Sequence, residues 1–167
     1  MQSFKRLFPK TTSIIGMIHV DPLPGTPQYE SKALAVAKAT SSDFIRNEGF
    51  IFSHIGDEGF IDSNAGELLR YRKMIDADNI MIFNDIKKKH SSHAITSDIS
   101  LLDTANAAMF FNADGIILTG KSTGDSTDVN ELKLIHKQQQ EGKLKLPILV
   151  GSGVTKKNLH NYDLLTL

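Results

Sequence analysis

A chain of 167 residues with 19 basic and 19 acidic side chains and no cysteine has the length of one domain, since domains most often run to roughly 100–150 residues. Its formal net charge of zero removes the general attraction to phosphate backbones on which basic nucleic-acid binders depend, so no nucleic-acid partner is expected. The missing cysteines exclude disulfides, zinc–thiolate sites and thiol catalysis and suit an intracellular, cytoplasmic compartment, while no apolar run reaches the roughly 18 residues that cross a bilayer.

In chain order, the first ten residues, MQSFKRLFPK, carry Lys5, Arg6 and Lys10 without an acid. That pattern fits the start of a mitochondrial targeting peptide or a simple basic tail, and the apolar run from Ile14 leaves little room for a removable leader. Short apolar runs then alternate with helical periodicity, the pattern of βα units on a parallel sheet. Strands are expected at Ser13–Val20 (SIIGMIHV), Asp43–Arg46 with a short extension, Ile80–Asn84, Gly115–Thr119 and Pro147–Val150. Each is nearly continuous in apolar residues, as strands buried on both faces are. Helices are expected over Ser31–Thr40, Ala65–Ile75, Ser97–Phe111, Asp128–Gln140 and Lys156–Leu164, with Ser97 and Asp128 as N-caps and Gly142 and Pro147 as stops.

Polar residues and glycines gather just after the strands, at His19–Gly25, Asn47–Gly59, Asp85–His93, Gly120–Asp125 and Gly151–Thr155. In parallel α/β folds ligands bind at the carboxyl ends of strands, so all five clusters would share one face. Five strands do not close a (β/α)8 barrel, which needs eight strands and typically about 250 residues. Either the sheet is open or pieces of a barrel are missing.

The stretches IGMIHVDPLPGTP (15–27), DFIRNEGF (43–50), DEGFIDSNAGELLRYRK (57–73), DIKKKHSS (85–92), ADGIILTGKSTG (113–124) and LPILVGSGVTKKNL (146–159) resemble, in the same order, those of the BtpA/SgcQ family of (β/α)8-barrel proteins. The resemblance implies an incomplete TIM-type barrel of the ribulose-phosphate-binding kind, one domain over 1–167, with about five of eight parallel strands present. Family members place two further strands between the PLPG loop and the helix at Ser31–Thr40, a block absent near residues 27–31, and a last glycine-ended strand after Leu167. By this reading the strands are the first, fourth, fifth, sixth and seventh of eight.

At the first strand's end, His19 and Asp21 are two apart and share one side of an extended chain. They suit a divalent metal or proton exchange, or simply cap the strand and open the proline turn. Asp85 follows a buried strand where barrel enzymes put catalytic carboxylates, and Lys87 beside it suits phosphate or base chemistry. Strand alternation would leave Lys88 on the opposite side as a solvated lysine, and His90 and His93 would share a face only on a helix. Arg46 suits a bidentate contact with a carboxylate or phosphate, Asn47 sits beside it, and Asp57 with Glu58 suits a cation. On the second helix, Glu67 is expected to contact Arg70 or Tyr71, with Arg72 beyond them.

Thr119 and Gly120 in TGKSTG, and Gly151, Ser152 and Gly153 in GSGVT, offer glycines and hydroxyls that let backbone N–H groups approach an anion, or serve tight turns alone. TGKSTG lacks the G-x-x-x-x-G-K-[ST] spacing of nucleotide hydrolases. In (β/α)8 barrels the loop after the seventh strand commonly binds phosphate together with the loop after the eighth, so half of that cradle would be lost. The expected function is therefore binding or hydrolysis of a small phosphorylated or nucleotide-like metabolite, impaired in this shortened chain. The family also implies a non-enzymatic assembly role of the photosystem I biogenesis type. A third expectation is an inactive splice or gene-model fragment that self-associates through exposed strand edges.

Overall fold

The structure is a computed structural model that describes residues 29–57 and 59–165. The strand expected at Ser13–Val20, with His19 and Asp21, and also Glu58 lie outside the described residues. In chain order the elements are α1 (Tyr29–Ala39), β1 (Phe44–Asn47), β2 (His54–Gly56), β3 (Gly59–Ile61), α2 (Ala65–Met74), β4 (Met81–Asp85), β5 (Ser91–Ser92), α3 (Leu101–Phe110), β6 (Gly115–Leu118), α4 (Val129–Gln140) and β7 (Ile148–Val150). Short 3-10 helices occupy Ala94–Thr96 and Leu159–Leu165.

Four strands pair in parallel in the order β1-β4-β6-β7. Each helix sends an apolar pair three residues apart into one core: Leu34 and Ala37, Ala65 and Leu68, Ala105 and Ala108, Leu132 and Ile135. Strand positions Ile45, Ile82, Ile116, Leu118 and Ile148 complete that core. The intervening positions Met81, Phe83 and Ile117 form a separate cluster with Phe44 and Leu149. Because successive strand side chains point to opposite faces, the described helices all lie on one face of the sheet. A one-sided helical layer over a parallel sheet is the arrangement of a partial TIM-like fold rather than of a doubly wound one.

Every helix hands the chain to its next parallel strand through the same joint. Ser41, Asp76, Asn112 and Gly142 adopt left-handed φ values of 56, 52, 60 and 71°. At each, that residue's N–H and the next one reach back to the helix: Asp76 and Ala77 bond to Lys73 and Arg72, and Asn112 and Ala113 to Met109 and Ala108. These paired bonds satisfy carbonyls that a helix end otherwise leaves unbonded.

The structure departs from the expected elements in three places. The third helix starts after Ser100, whose hydroxyl caps the Asp103 N–H while the Asp103 carboxylate takes the Ser100 N–H. Ser97 lies before it, because Ala94–Thr96 has already turned as a 3-10 helix. The segment expected as a helix over Lys156–Leu164 is likewise a 3-10 helix, Leu159–Leu165. The polar cluster Asn47–Gly59 contains β2, and an antiparallel sheet β3-β2-β5 stands over the carboxyl edge of the main one.

Gly115 at the start of β6 pairs with Phe83, and a Cβ there would lie 2.2 Å from the Phe83 ring. Gly115→Ala is expected to cost about 1–3 kcal/mol through forced displacement of that ring, measured as a lowered urea midpoint at unchanged slope.

Candidate active site

β1 and β4 run side by side with Arg46 opposite Phe83 and Asn47 opposite Asn84, which sets Arg46 diagonal to Asp85 on one face. The guanidinium meets both carboxylate oxygens, Nε to Oδ1 at 2.8 Å and Nη2 to Oδ2 at 2.6 Å. The Asp85 side chain is 1% exposed and that of Arg46 19%. Burial pushes the Asp85 carboxyl above its usual range, against the pull of the Arg46 fork. Burial also opposes charge on Arg46, but the bond to Asp85 prevails and holds the guanidinium above its ordinary value. The fork geometry is that of an ionised guanidinium–carboxylate pair. Arg46 is thus committed to the carboxylate among its two expected partners.

After Asp85 the chain leaves the extended conformation: Lys87 takes φ +52° and His90 φ +54°. That turn overrides strand alternation. Lys88, expected to be solvated, is instead 6% exposed in its side chain and bonds Glu48 at 2.7 Å. Lys87 is half-buried, its ammonium donating to the Thr96 carbonyl at 3.2 Å. His90 and His93 are separated by β5 rather than stacked on a helix. His90 Nε2 accepts the Thr123 N–H at 3.1 Å, whereas His93 Nε2 lies 3.1 Å from the Lys88 carbonyl.

Asn47 is fully buried, its amide donating to Asn64 Oδ1 and accepting the Gly49 N–H; these bonds shape the loop after β1. Asn84 beside it is also fully buried, and neither side-chain amide atom has a partner among the described residues. Thr119 Oγ1 accepts the Lys89 N–H at 3.1 Å, tying DIKKKHSS to TGKSTG. The two glycine loops lie against each other. The Gly120 N–H donates to Ser152 Oγ at 2.7 Å, Ser152 donates to the Asp125 carbonyl at 2.8 Å, and the Gly151 N–H donates to Leu118. A Cβ on Gly120 or Gly153 would strike the Asp125 carbonyl oxygen at 2.4 or 2.3 Å, so glycine here permits close approach of backbone to backbone. The N–H groups of Gly120 and Gly151 are therefore already engaged.

One residue the sequence reading did not single out is His54, at the start of β2. It is 4% exposed and its ring stands 5.2 Å from that of His93. Burial, aided by His93 and Lys88, pushes its pKa below the ordinary histidine value. Glu48, His54, Asp85, Lys87, Lys88 and His93 together surround a cavity of about 10 Å³, room for one water-sized group. Among the described residues no group of three or more His, Cys, Asp or Glu gathers closely enough to hold a metal ion, and no helix is long and apolar enough to cross a membrane.

A sequence model of the BtpA family matches residues 30–165. An uncharacterized protein of Caenorhabditis elegans, labelled mitochondrial, is 50% identical over 131 residues, 78% of this chain and 46% of that protein. An uncharacterized protein of Archaeoglobus fulgidus is 40% identical over 126 residues, 75% of this chain and 47% of the relative. The photosystem I biogenesis protein BtpA of Synechocystis is 33% identical over 129 residues, 76% of this chain and 42% of the relative. The chain spans somewhat under half the length of these curated relatives. No solved structure matches it.

Removing one member of the Arg46–Asp85 pair is expected to be costly: Asp85→Asn should destabilise by about 3 kcal/mol, and the double variant Asp85→Leu with Arg46→Met should recover most of that loss, read from urea unfolding. His54 gives a pH signature. The fold favours its neutral ring, so the unfolded chain takes up the proton first; stability is fully present above about pH 6.5 and falls as pH drops through the window below it. His54→Gln should flatten that part of the stability–pH curve.

Proposed function

The chain belongs to the BtpA family, and from that premise we propose that it forms a site for a small phosphorylated or nucleotide-like metabolite, on which the whole protein acts as a hydrolase. The observation that carries this reading is the Arg46–Asp85 pair, buried at the carboxyl edge of the parallel sheet with Lys87 and Lys88 turned in around it. Sites of parallel β/α folds draw their chemistry from this edge, and a buried carboxyl with a raised pKa suits proton transfer. In the proposal Asp85 handles the proton and Lys87 offers positive charge to the anion, while the loops with Thr119 and Gly120 and with Gly151, Ser152 and Gly153, whose Gly120 and Gly151 N–H groups are taken up within the chain, wall the site rather than cradle the anion. His19 and Asp21 supply further acid, base or metal-ligand groups, with a divalent metal as the implied cofactor. The barrel surrounding the site, of which this chain carries part, belongs to the same proposal.

A second reading follows from the Synechocystis relative's name: a non-enzymatic role in protein assembly. The exposed Phe110 and Phe111, packed edge to face with ring centroids 5.4 Å apart, offer an apolar patch for such a contact. The mitochondrial label of the worm relative and the basic first ten residues support a mitochondrial location, which imaging of tagged protein would decide.

Thermal-shift measurements on the chain with a panel of phosphorylated metabolites, with and without magnesium or zinc, test the metabolite reading. A selective rise is expected, corresponding to about 2.7 kcal/mol at a hundredfold excess over Kd, and it should vanish in Lys87→Ala. A flat response across the panel together with stable capture of a protein partner would replace it with the assembly role.

A further inference from the structure

Resting on the reading of an anionic ligand at the carboxyl edge, we propose that the site is closed in this structure by its own Glu48, whose carboxylate occupies the Lys88 ammonium, and that a ligand's anionic group enters by taking Lys88 from it. Lys88 then joins Lys87 as a binding residue, and the Glu48 contact is autoinhibitory. The Asp85 side chain is 1% exposed, and the cavity it shares with Lys88 measures about 10 Å³, room for one water. No metabolite reaches that carboxylate unless a wall withdraws.

Most of the walls are fastened. Arg46 makes two bonds to Asp85, and its departure would strip a buried carboxylate of its counter-charge. The chain around Lys88 is held as well, since the Lys89 N–H donates to Thr119 Oγ1 and the Lys88 carbonyl lies 3.1 Å from His93 Nε2. Of the side chains around the cavity Glu48 and Phe52 are the exposed ones, and of these two Glu48 alone is charged. The Asn47 side chain accepts the Gly49 N–H, so the backbone that carries Glu48 stays in place while its side chain turns. Among the described residues its carboxylate has one partner, the Lys88 ammonium at 2.7 Å.

The two partners differ in what separation costs them. The Glu48 side chain is 49% exposed and that of Lys88 6%. A released Glu48 carboxylate turns into water, whereas the ammonium it leaves behind is a buried charge without a counter-charge. The exchange is therefore favourable only when the newcomer brings negative charge to Lys88, and a neutral compound is refused. An ammonium is a compact point charge with rotatable donors, so it receives a carboxylate or a phosphoryl oxygen alike.

The test is calorimetry on the full chain at fixed ionic strength with inorganic phosphate, acetate and, as the neutral probe, glycerol. Glu48→Gln removes the internal competitor and is expected to bind phosphate or acetate about tenfold tighter than the wild type, the gain that relief of about 1.4 kcal/mol of competition gives. Glycerol should gain nothing, and adding Lys88→Met should abolish the gain. The wild-type chain gives a second readout: the ¹³Cδ resonance of Glu48 should move toward that of a hydrated glutamate as the tighter anion saturates. An unchanged affinity in folded Glu48→Gln, a gain that survives Lys88→Met, or a Glu48 resonance that stays fixed at saturation overturns the proposal. If Glu48→Gln gains as expected while no phosphorylated metabolite raises the melting temperature of the chain, the metabolite reading falls and the Glu48 contact stands as autoinhibitory. If a metabolite binds the wild type and Glu48→Gln tightens nothing, the autoinhibition falls alone. If neither chain binds any anion, both fall.

Discussion

A carboxylate at 1% exposure is sustainable only where something else supplies the solvation it has lost, and in this protein a single guanidinium does so. Arg46 reaches Asp85 because β1 and β4 are neighbours in one register; a shift by one residue would move Arg46 to the helix-covered face and leave Asp85 without its fork. The surrounding loops are shaped about the same pair. Asn47 organises the chain leaving β1, and the turn at Lys87 organises the chain leaving β4. Together they bring Glu48 and Lys88 into contact from segments forty residues apart.

The opposite end of the sheet carries an ion pair of another kind. Arg72 of α2 donates to Asp114 at 2.6 Å, and the same carboxylate oxygen accepts the Ile82 N–H. That pair spans helix, strand and the entry to β6 and holds α2 against the sheet. In the function proposed above the two ends divide their work as parallel β/α folds do, with stability at the amino end and ligand chemistry at the carboxyl end. Similar residue types do either job; surroundings decide which.

The parallel strands were legible because residues buried on both sheet faces are apolar without a break, and the Asp128 cap of α4 was legible because its side chain acts on its own local backbone. Ser100 was displaced by Ser97 as the expected cap since sequence alone does not show that a 3-10 turn intervenes. Asp85 could be found from its place after a strand. Lys88 could not, because the strand rule that sent it outward assumes an extended backbone, and Lys87 is not extended. His54 had no helical or metal spacing to announce it. The nearest sequence signal was the pair of glycines, Gly56 and Gly59, facing across the β2–β3 turn, a hairpin cue within what reads as a polar loop. Of the four left-handed joints only Gly142 advertised itself; Ser41, Asp76 and Asn112 reach the same conformation with ordinary side chains.

Those four joints bear on the order in which the molecule organises itself. Each is closed by hydrogen bonds between residues no more than five apart, such as Ala77 to Arg72 and Ala113 to Ala108, so each corner loses little chain entropy on forming and needs no partner strand. The Arg46–Asp85 fork joins residues 39 apart and requires the sheet already to be in register. On loop-closure entropy alone the corners are therefore expected to assemble before the charged edge. The region of this chain proposed to meet a ligand thus takes its shape from the register of β1 and β4, which none of the corners supplies.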